Sequence, residues 1–215
     1  MKEAGLVLLG YVLGSTPWAY WLPKALKGVD IREVGSGNIG ATNVWRNVGF
    51  KLGLAVMLLD IVKGLVPALL ARWLADDVVA VLAGLAAMAG HYRPLFLRFA
   101  RGGKTVATTG GVMLALAPLA FLGATGVWVI AFLATRYASV GSLAGAATLP
   151  LFALAFGASW PVVGFACAAA LAILVLHKGN IRRLLAGTER KMQLRRRRPP
   201  AAGVRPRGGA SSSNV

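Results

Sequence analysis

The sequence predicts an all-α fold, a polytopic membrane helical bundle of seven transmembrane helices, and three observations indicate this class. Hydrophobic types make up 57% of the 215 residues and 27 more are glycine, a larger apolar share than soluble domains have. Only 14% of the residues are charged, which leaves too little polar surface to cover a soluble globule and excludes a disordered chain. Apolar runs also recur along the chain, and about 20 apolar residues in a helix cross the hydrocarbon core.

The predicted spans follow one another with short polar connections. In chain order the apolar runs are 5–22, 52–71, 78–90, 106–134, 141–157 and 160–177. The run 106–134 fits one long tilted span or two short spans, because Pro118 interrupts helical hydrogen bonding near its middle. We take two spans, which gives seven in all. The runs 78–90 and 106–117 are short for complete crossings, so they need flanking loop residues or are partly re-entrant.

The distribution of Lys and Arg decides between six spans and seven. With seven spans, 21 of the 24 Lys and Arg residues fall on one side of the membrane, and only Lys2 and Arg72 fall on the other. Because cytoplasmic loops carry the positive excess, the N-terminus is predicted outside and the C-terminus in the cytoplasm. Six spans would place Arg136 and the eleven basic residues after His177 outside, against this rule.

Residues 1–192 form the predicted transmembrane domain, and residues 193–215 form a basic tail that is predicted on the cytoplasmic side. The tail is rich in Arg, Pro, Gly and Ser and has no periodicity, which predicts disorder. We expect its Arg run to be attracted to anionic lipid. RNA binding is the rival interpretation, but no aromatic residues are interleaved with the charges. Cys167 is the only cysteine, so neither a disulfide framework nor a thiolate metal site is expected.

The first polar connection holds the segment VGSGNIGATNVWRNVG, residues 34–49. Glycines allow backbone N–H groups to form a concave anion nest, and Arg46 can bind phosphate oxygens with two hydrogen bonds. The segment is neither a Walker A loop, since no Gly-Lys-Ser/Thr follows, nor a dinucleotide fingerprint, since no strand precedes it. A flexible glycine-rich connector is the alternative interpretation.

Three further clusters lie in connections predicted on the same side. Gly102, Gly103 and Lys104 precede the fourth span, where helix N–H groups and a lysine form a ready anion site. The next connection holds Arg136, Ser139 and Ser142. After the last span, the spacing of His177, Asn180 and Arg183 places them on one helical face. The sequence shows no metal-ligand set and no catalytic triad, so the four clusters predict an anion site with little general-base equipment and a phosphorylated substrate.

Asp60 and Lys63 lie one helical turn apart inside the second predicted span. Charges within a membrane are costly and tend to face partners or cavities. Either the two side chains pair and orient this helix, or Lys63 adds positive field to the anion site. We favour the structural interpretation.

Four segments agree in order and spacing with a known family, and the chain resembles the bacterial acyl-phosphate:glycerol-3-phosphate acyltransferases. The segments are GSGNIGATNVWRNVG (35–49) with DIVKG (60–64) after it, GHYRPLFLRFARGGKTVAT (90–108), RYASVGS (136–142) and HKGNIRRLLAGTER (177–190). The resemblance covers about residues 5–192 and includes YVLGSTPWAY (11–20). It departs at Thr105, where the family usually has glycine, and in the tail.

The resemblance implies a seven-helix enzyme of phospholipid biosynthesis in the bacterial inner membrane, with its active site on the cytoplasmic face. It would transfer an acyl group from acyl phosphate to the 1-hydroxyl of glycerol 3-phosphate, giving lysophosphatidic acid and phosphate, with membrane lipids as partners and no cofactor, metal or nucleic acid. The residues implied as catalytic are Lys104, Ser36, Arg46 and His177. Those implied as substrate-binding are Gly37, Asn38, Thr42, Asn43, Gly103, Ser142 and Asn180.

The residues leave the proton acceptor open: a phosphate oxygen of the donor takes the hydroxyl proton, or His177 does. Three other functions also stay open, namely a transporter or channel for an organic anion, a non-catalytic lipid-binding protein, and an acyltransferase with a thioester donor. A transporter predicts charges near the midplane and broken helices, whereas only Asp60 and Lys63 lie deep in a predicted span.

Overall fold

The structure is a computed structural model that describes residues 1–192, and every regular element in that range is helical. The helices are α1 (Lys2–Gly14), α2 (Trp18–Lys27), α3 (Ala41–Asn47), α4 (Phe50–Leu74), α5 (Asp77–Tyr92), α6 (Val106–Leu116), α7 (Pro118–Thr135), α8 (Ala138–Ala155), α9 (Trp160–Leu176) and α10 (Lys178–Leu185), with a 3-10 turn at Leu95–Leu97. The all-helical class is therefore confirmed for these residues. The predicted tail at 193–215 lies outside them.

Four helical segments are long and apolar enough to cross a membrane on their own. They are Phe50–Leu74, Asp77–Leu97, Pro118–Thr135 and Ala138–Ala155. A fifth span is obtained if α9 and α10, which meet at an angle of 55°, are taken as one broken span. The helix α6 is apolar but has only 11 residues. The chain is thus a multi-pass helical protein by length and composition.

The first predicted span is not one helix, which corrects the sequence interpretation of the run 5–22. The helix α1 ends at Gly14, and α2 begins at Trp18, directly after Pro17. Proline has no backbone N–H and disfavours helical backbone in the residue before it, so the apolar run breaks here. In contrast, the predicted division of the run 106–134 is observed, because α6 ends at Leu116 and Pro118 opens α7.

The helix α4 is central and packs against α1, α5 and α6. Close backbone approach explains the glycines at these contacts. A Cβ at Gly10 or Gly14 of α1 would overlap a backbone carbonyl of α5, and a Cβ at Gly64 would overlap the carbonyl oxygen of Thr108 in α6. Small residues allow membrane helices to approach until their backbones touch. These four helices therefore form a tight half of the bundle, beside which α7, α8 and α9 pack in sequence.

Contacts between connections define two ends of the bundle. At one end, called the far end, the Lys2 ammonium donates to the Leu74 carbonyl and the Ser159 hydroxyl donates to the Asp77 carboxylate. The opposite end, called the site end, carries the connections 28–49, 93–105, 136–137 and 177–192. There the Tyr11 hydroxyl donates to the Arg93 carbonyl over 2.8 Å. Consecutive long helices therefore run between the same two ends.

Arg72 completes the far end at the break between α6 and α7. Its Nη1 donates to the carbonyls of Ala115 and Leu116 over 3.0 and 3.1 Å, and its Nε lies 3.2 Å from the Asp77 carboxylate. The last carbonyls of a helix have no partner within the helix. Arg72 supplies a hydrogen-bond donor to two of these carbonyls in α6. The helix α6 ends early because Pro118 has no N–H with which to continue its hydrogen bonding.

Candidate active site

The site end brings together side chains from three separate connections through one buried carboxylate, Glu189. The Lys104 ammonium donates to the Asn180 side-chain oxygen. Asn180 in turn donates to Glu189 Oε1 over 2.6 Å, and the same oxygen accepts a 2.9 Å hydrogen bond from Ser139. Arg183 donates to Glu189 Oε2 over 2.7 Å. Because both carboxylate oxygens are occupied, Glu189 anchors the other side chains and is poorly placed to act as a base.

The hydrogen bonds also keep Glu189 ionised. Burial disfavours its charged form, but the donors on Asn180, Arg183 and Ser139 together outweigh burial and lower its pKa. Hydrogen bonds to an ionised partner are stronger than neutral ones. The network therefore fixes Asn180 with its side-chain oxygen towards Lys104.

Lys104 and Arg46 give the site its positive charge. Burial, reinforced by the charge of Arg183 and opposed by that of Glu189, lowers the pKa of Lys104 to about 8. Arg101 and Arg46 lower it further, which places both side chains within electrostatic reach of Lys104. Burial also lowers the pKa of Arg46, although a guanidinium stays protonated at neutral pH. Cations that are partly buried beside one another favour an anionic ligand.

Lys104 is positioned by the end of α5. The N–H groups of Gly102 and Gly103 donate to the carbonyls of Tyr92 and His91 over 2.8 and 3.1 Å. A Cβ at Gly103 would overlap the His91 ring and lie 2.7 Å from the Ile39 carbonyl oxygen. The absence of a side chain at Gly103 therefore lets this turn, α5 and the first loop meet at one point.

Thr105 follows this turn in an unusual backbone conformation. Its φ is +61°, in the left-handed region, and its buried hydroxyl has no hydrogen-bond partner within the described part of the chain. A β-branched residue is strained there, whereas glycine is not. This gives a physical reason for glycine being usual at this position in the family that the sequence resembles.

The first loop is built around the buried amide of Asn43. Its Nδ2 lies 3.2, 3.0 and 3.1 Å from the carbonyl oxygens of Ile31, Val34 and Asn38, and its two hydrogens are shared among these three acceptors. Its Oδ1 accepts from the Ser36 N–H over 3.2 Å and from the Asn47 amide over 2.8 Å. These contacts give Asn43 a loop-building role, and direct substrate binding by it stays a prediction.

The other predicted residues of the first loop lie around this anchor. Gly37 has a φ of +66°, which glycine adopts without strain. The Asn38 N–H donates weakly to the Ser36 hydroxyl, over 3.4 Å. Ser36 is exposed, Asn38 is half-buried, and Thr42 is half-buried on α3. The N–H groups of Ser36, Gly37, Asn38 and Gly40 already donate to acceptors within the loop, so a phosphate contact by this loop stays a prediction.

His177 and Ser142 both make hydrogen bonds within their own helices. His177 is buried at the junction of α9 and α10, and its Nδ1 lies 2.8 Å from the Ile173 carbonyl oxygen. In the neutral ring this contact assigns the proton to Nδ1 and leaves Nε2 as an acceptor. The Ser142 hydroxyl donates to the Ala138 carbonyl over 2.8 Å, and the Trp128 indole donates to it over 3.3 Å. A substrate contact at Ser142 stays a prediction.

Asp60 and Lys63 pair within α4, as the favoured interpretation of the sequence expected. Lys63 Nζ lies 2.7 Å from Asp60 Oδ1 and donates to the Thr16 carbonyl over 3.0 Å. The His91 ring lies 3.8 Å from the same Asp60 oxygen. The pair therefore supplies a hydrogen-bond partner at the break between α1 and α2 and also supports His91 beneath the Gly102–Lys104 turn.

The catalytic and substrate-binding sets implied by the resemblance do not include Glu189, Arg183 or Ser139, although Arg183 and Ser139 lie in the predicted clusters and Glu189 lies in the segment 177–190. A single acidic residue within the basic run 177–190 was the available signal for Glu189. The connection of Lys104 through Asn180 to Glu189 joins sequence positions 85 residues apart and needed the structure. Among residues 1–192, no three His, Cys, Asp or Glu side chains come close enough to hold a metal ion.

Comparison with known proteins connects this geometry to a family. The family model described as glycerol-3-phosphate acyltransferase matches residues 4–187. A glycerol-3-phosphate acyltransferase of Anaeromyxobacter sp. (strain Fw109-5) is 48% identical, over 88% of this chain and 97% of its own length. The corresponding protein of Geobacter sulfurreducens is 46% identical, over 90% and 99%.

Two solved structures are similar in fold as well as in sequence. Both are crystal structures of PlsY (YgiH), an integral membrane glycerol 3-phosphate acyltransferase, and each match covers 90% of this chain and 96% of the other. The glycerol 3-phosphate form has a TM-score of 0.86 at 40% identity, and the lysophosphatidic acid form 0.84 at 39%. With the family model matching most of its length and relatives nearly half identical, this chain belongs to the glycerol-3-phosphate acyltransferase family.

Proposed function

We propose that the protein transfers an acyl group from acyl phosphate to the 1-hydroxyl of glycerol 3-phosphate, giving lysophosphatidic acid and phosphate. The observation that carries this proposal is the network from Lys104 through Asn180 to Glu189, with Arg46 nearby. It presents fixed positive charge at one end of a membrane bundle, where two phosphorylated substrates and a lipid chain can meet. Relatives with glycerol 3-phosphate and lysophosphatidic acid forms support the same acceptor and product.

In this mechanism the protein acts mainly by positioning. Arg46, Ser36 and Lys104 bind phosphoryl oxygens together with the first loop and the Gly103 turn, so the acceptor hydroxyl lies against the acyl carbonyl. Converting a bimolecular reaction into an oriented one can contribute about 7–11 kcal/mol. The hydroxyl oxygen bonds to the carbonyl carbon, the bond from that carbon to the phosphate oxygen breaks, and Lys104 and Arg46 stabilise the departing phosphate.

The hydroxyl proton passes to an oxygen of the departing phosphate in the proposed route. The free Nε2 of His177 is the competing acceptor. Glu189 is not assigned as the base, because both its oxygens accept hydrogen bonds from neighbouring side chains. The remaining predicted contacts, Gly37, Asn38, Thr42, Asn43, Ser142 and Asn180, shape the pocket around the two phosphates.

We also propose seven spans, with the N-terminus outside and the site end facing the cytoplasm at the bacterial inner membrane. The alternation of connections between the far end and the site end supports seven crossings by α1 and α4–α9. The excess of Lys and Arg in the site-end connections supports their cytoplasmic location. In this arrangement residues 1–192 form one transmembrane domain, and the acyl chain lies in the hydrocarbon layer between helices.

The activity is tested with purified protein, radiolabelled glycerol 3-phosphate and palmitoyl phosphate, with palmitoyl-CoA in a parallel assay. We expect labelled lysophosphatidic acid from acyl phosphate, and a loss of about 100-fold or more in kcat/KM for Lys104→Met, as for removal of an oxyanion donor. Lys27→Met, at the exposed end of α2, is the matched control and keeps the activity.

Equal activity of Lys104→Met and Lys27→Met would contradict the assigned role of Lys104. Product from palmitoyl-CoA alone would instead identify a thioester-dependent enzyme. Exchange of glycerol 3-phosphate across vesicles without product would identify a transporter.

A further inference from the structure

The residues after α10 return across the site end and contact Arg46. We call Glu189–Met192 the strap. Its first residue is the carboxylate anchor already described, and its last residue, Met192, donates its backbone N–H to the Arg136 carbonyl over 2.8 Å. The Met192 side chain is 5% exposed and packs with Phe132 and Ala138. Both ends of the strap are therefore fixed to other parts of the bundle.

The strap holds one edge of the Arg46 guanidinium. Arg46 Nη2 donates to the Arg190 carbonyl over 2.6 Å, and Nε donates to Met192 Sδ over 2.9 Å. A guanidinium has five N–H donors in a planar fork, and within residues 1–192 the Nη1 group and one Nη2 proton of Arg46 have no protein acceptor. The two partners on the strap are neutral, and they orient the guanidinium without neutralising its charge.

The contrast with another arginine of the site supports this distinction. Arg183 pairs with the Glu189 carboxylate over 2.7 Å, so part of its charge is balanced within the protein. Arg46 is held by a carbonyl and a thioether instead. An arginine that must bind phosphate needs a fixed orientation and no direct ion pair that competes with the ligand. The strap orients Arg46 through Arg190 and Met192, and the charge of Glu189 acts on Arg46 without an ion pair between the two in the described residues.

We propose that the strap is a positioning element for Arg46, and that it directs the free edge of the guanidinium towards the phosphate of a substrate. This inference rests on the proposed function, in which Arg46 binds a phosphoryl group. A long side chain that is free to rotate must be ordered when the ligand binds, which weakens binding. The strap orders Arg46 beforehand, so loss of the strap should raise KM for glycerol 3-phosphate or for the acyl donor.

The test uses substitutions at Met192 in the full chain. Met192→Pro removes both the N–H that anchors the strap to Arg136 and the thioether that contacts Arg46. Met192→Leu keeps the N–H and the apolar volume. Lys27→Met is the control, because Lys27 is exposed at the end of α2 and lies outside the strap.

We expect Met192→Pro to raise KM for one of the two phosphorylated substrates about tenfold or more, since small misplacements of a binding group have effects of this size. Met192→Leu should show only a small part of this rise in KM, and Lys27→Met should match the wild type. Thermal unfolding of each variant in detergent identifies any variant that simply fails to fold. If Met192→Pro is unfolded, Met192→Gly, which keeps the N–H but removes the thioether contact to Arg46 and the packing against Phe132 and Ala138, tests the side-chain part of the strap.

A double-mutant cycle separates positioning of Arg46 from general packing. In an Arg46→Lys background, where no guanidinium fork is present, Met192→Pro should change KM no further. The same tenfold rise in that background, or an unchanged KM for folded Met192→Pro and Met192→Gly in the native background, would overturn the proposal. A wild-type protein without acyl transfer would instead overturn the proposed function, so the two failures are distinguishable.

Discussion

At the scale of single residues, Lys104 combines a site role with a pKa that lies close to physiological pH. Burial and neighbouring cations lower the pKa to about 8, so the ammonium is charged at pH 7 and loses its proton as the pH rises through 8. A bound phosphate favours the charged form of Lys104, so Lys104 loses its proton near pH 8 only in the protein without substrate. The pH dependence should therefore be seen in binding.

We predict that KM for the phosphorylated substrate that contacts Lys104 rises as the pH is raised from 7 to 9. Lys104→Arg, which stays protonated throughout this range, should remove most of the dependence even if its activity is lower. Initial rates against substrate concentration at several pH values give the measurement. A KM that rises equally in both proteins would assign the titration to another group, such as the substrate.

Residue types and spacing allowed the sequence to identify Arg46, Lys104, His177 and Asn180 as candidates. They could not show what each polar atom already contacts. The amide of Asn43 and the hydroxyl of Ser142 resemble substrate donors in the sequence, yet in the fold they bond to their own loop and helix. The same limit applies to Thr105, whose left-handed backbone depends on a turn geometry that composition does not specify.

At the scale of elements, two helix breaks occur at prolines. The sequence predicted the break at Pro118 but not the break at Pro17. At Pro118 the apolar run is too long for one ordinary span. At Pro17 the run 5–22 has the length of a single span, and hydrophobicity alone gave no reason to divide it. The structure divides it, and Lys63 donates to the half-buried Thr16 carbonyl at the break.

The Asp60–Lys63 pair leads to a stability prediction for α4. Removing one member of a buried pair leaves an uncompensated charge, at a cost of about 3–5 kcal/mol, whereas replacing both members with apolar residues is far less costly. Lys63→Leu should therefore unfold at lower temperature than the double variant Asp60→Leu, Lys63→Leu.

Thermal unfolding in detergent compares these two variants, and glycerol 3-phosphate KM is measured on whichever folds. A double variant that folds normally but has lost phosphate affinity would favour the other interpretation, in which Lys63 contributes field to the site. A single variant as stable as the wild type would contradict the structural role.

At the scale of the whole molecule, charge distribution predicted the grouping of connections that the structure places at one end. Most Lys and Arg residues of the connections lie at the site end, and under the proposed orientation this agrees with the retention of positive loops in the cytoplasm. The order in which α7, α8 and α9 pack beside the other helices, and the return of the chain over Arg46, depend on side-chain fit. Neither has a simple periodic signal in the sequence.

The orientation is tested by labelling single cysteines in a Cys167→Ser background. Lys27→Cys lies at the end of α2, directly before the site-end connection 28–49, and Ala75→Cys lies at the far end; both positions are exposed. In intact cells or right-side-out vesicles, a membrane-impermeant thiol reagent should label Ala75→Cys and should label Lys27→Cys only after the membrane is opened. The reverse pattern would invert the proposed topology.

The network that ends at Glu189 has a consequence for synthesis of the protein. Its first member, Lys104, is made 85 residues before Glu189. At about 5–20 residues per second, translation separates the two by on the order of ten seconds. A nascent chain halted between α10 and Glu189 therefore has Lys104 and Asn180 without the carboxylate that fixes them, so the network forms only once Glu189 has been made.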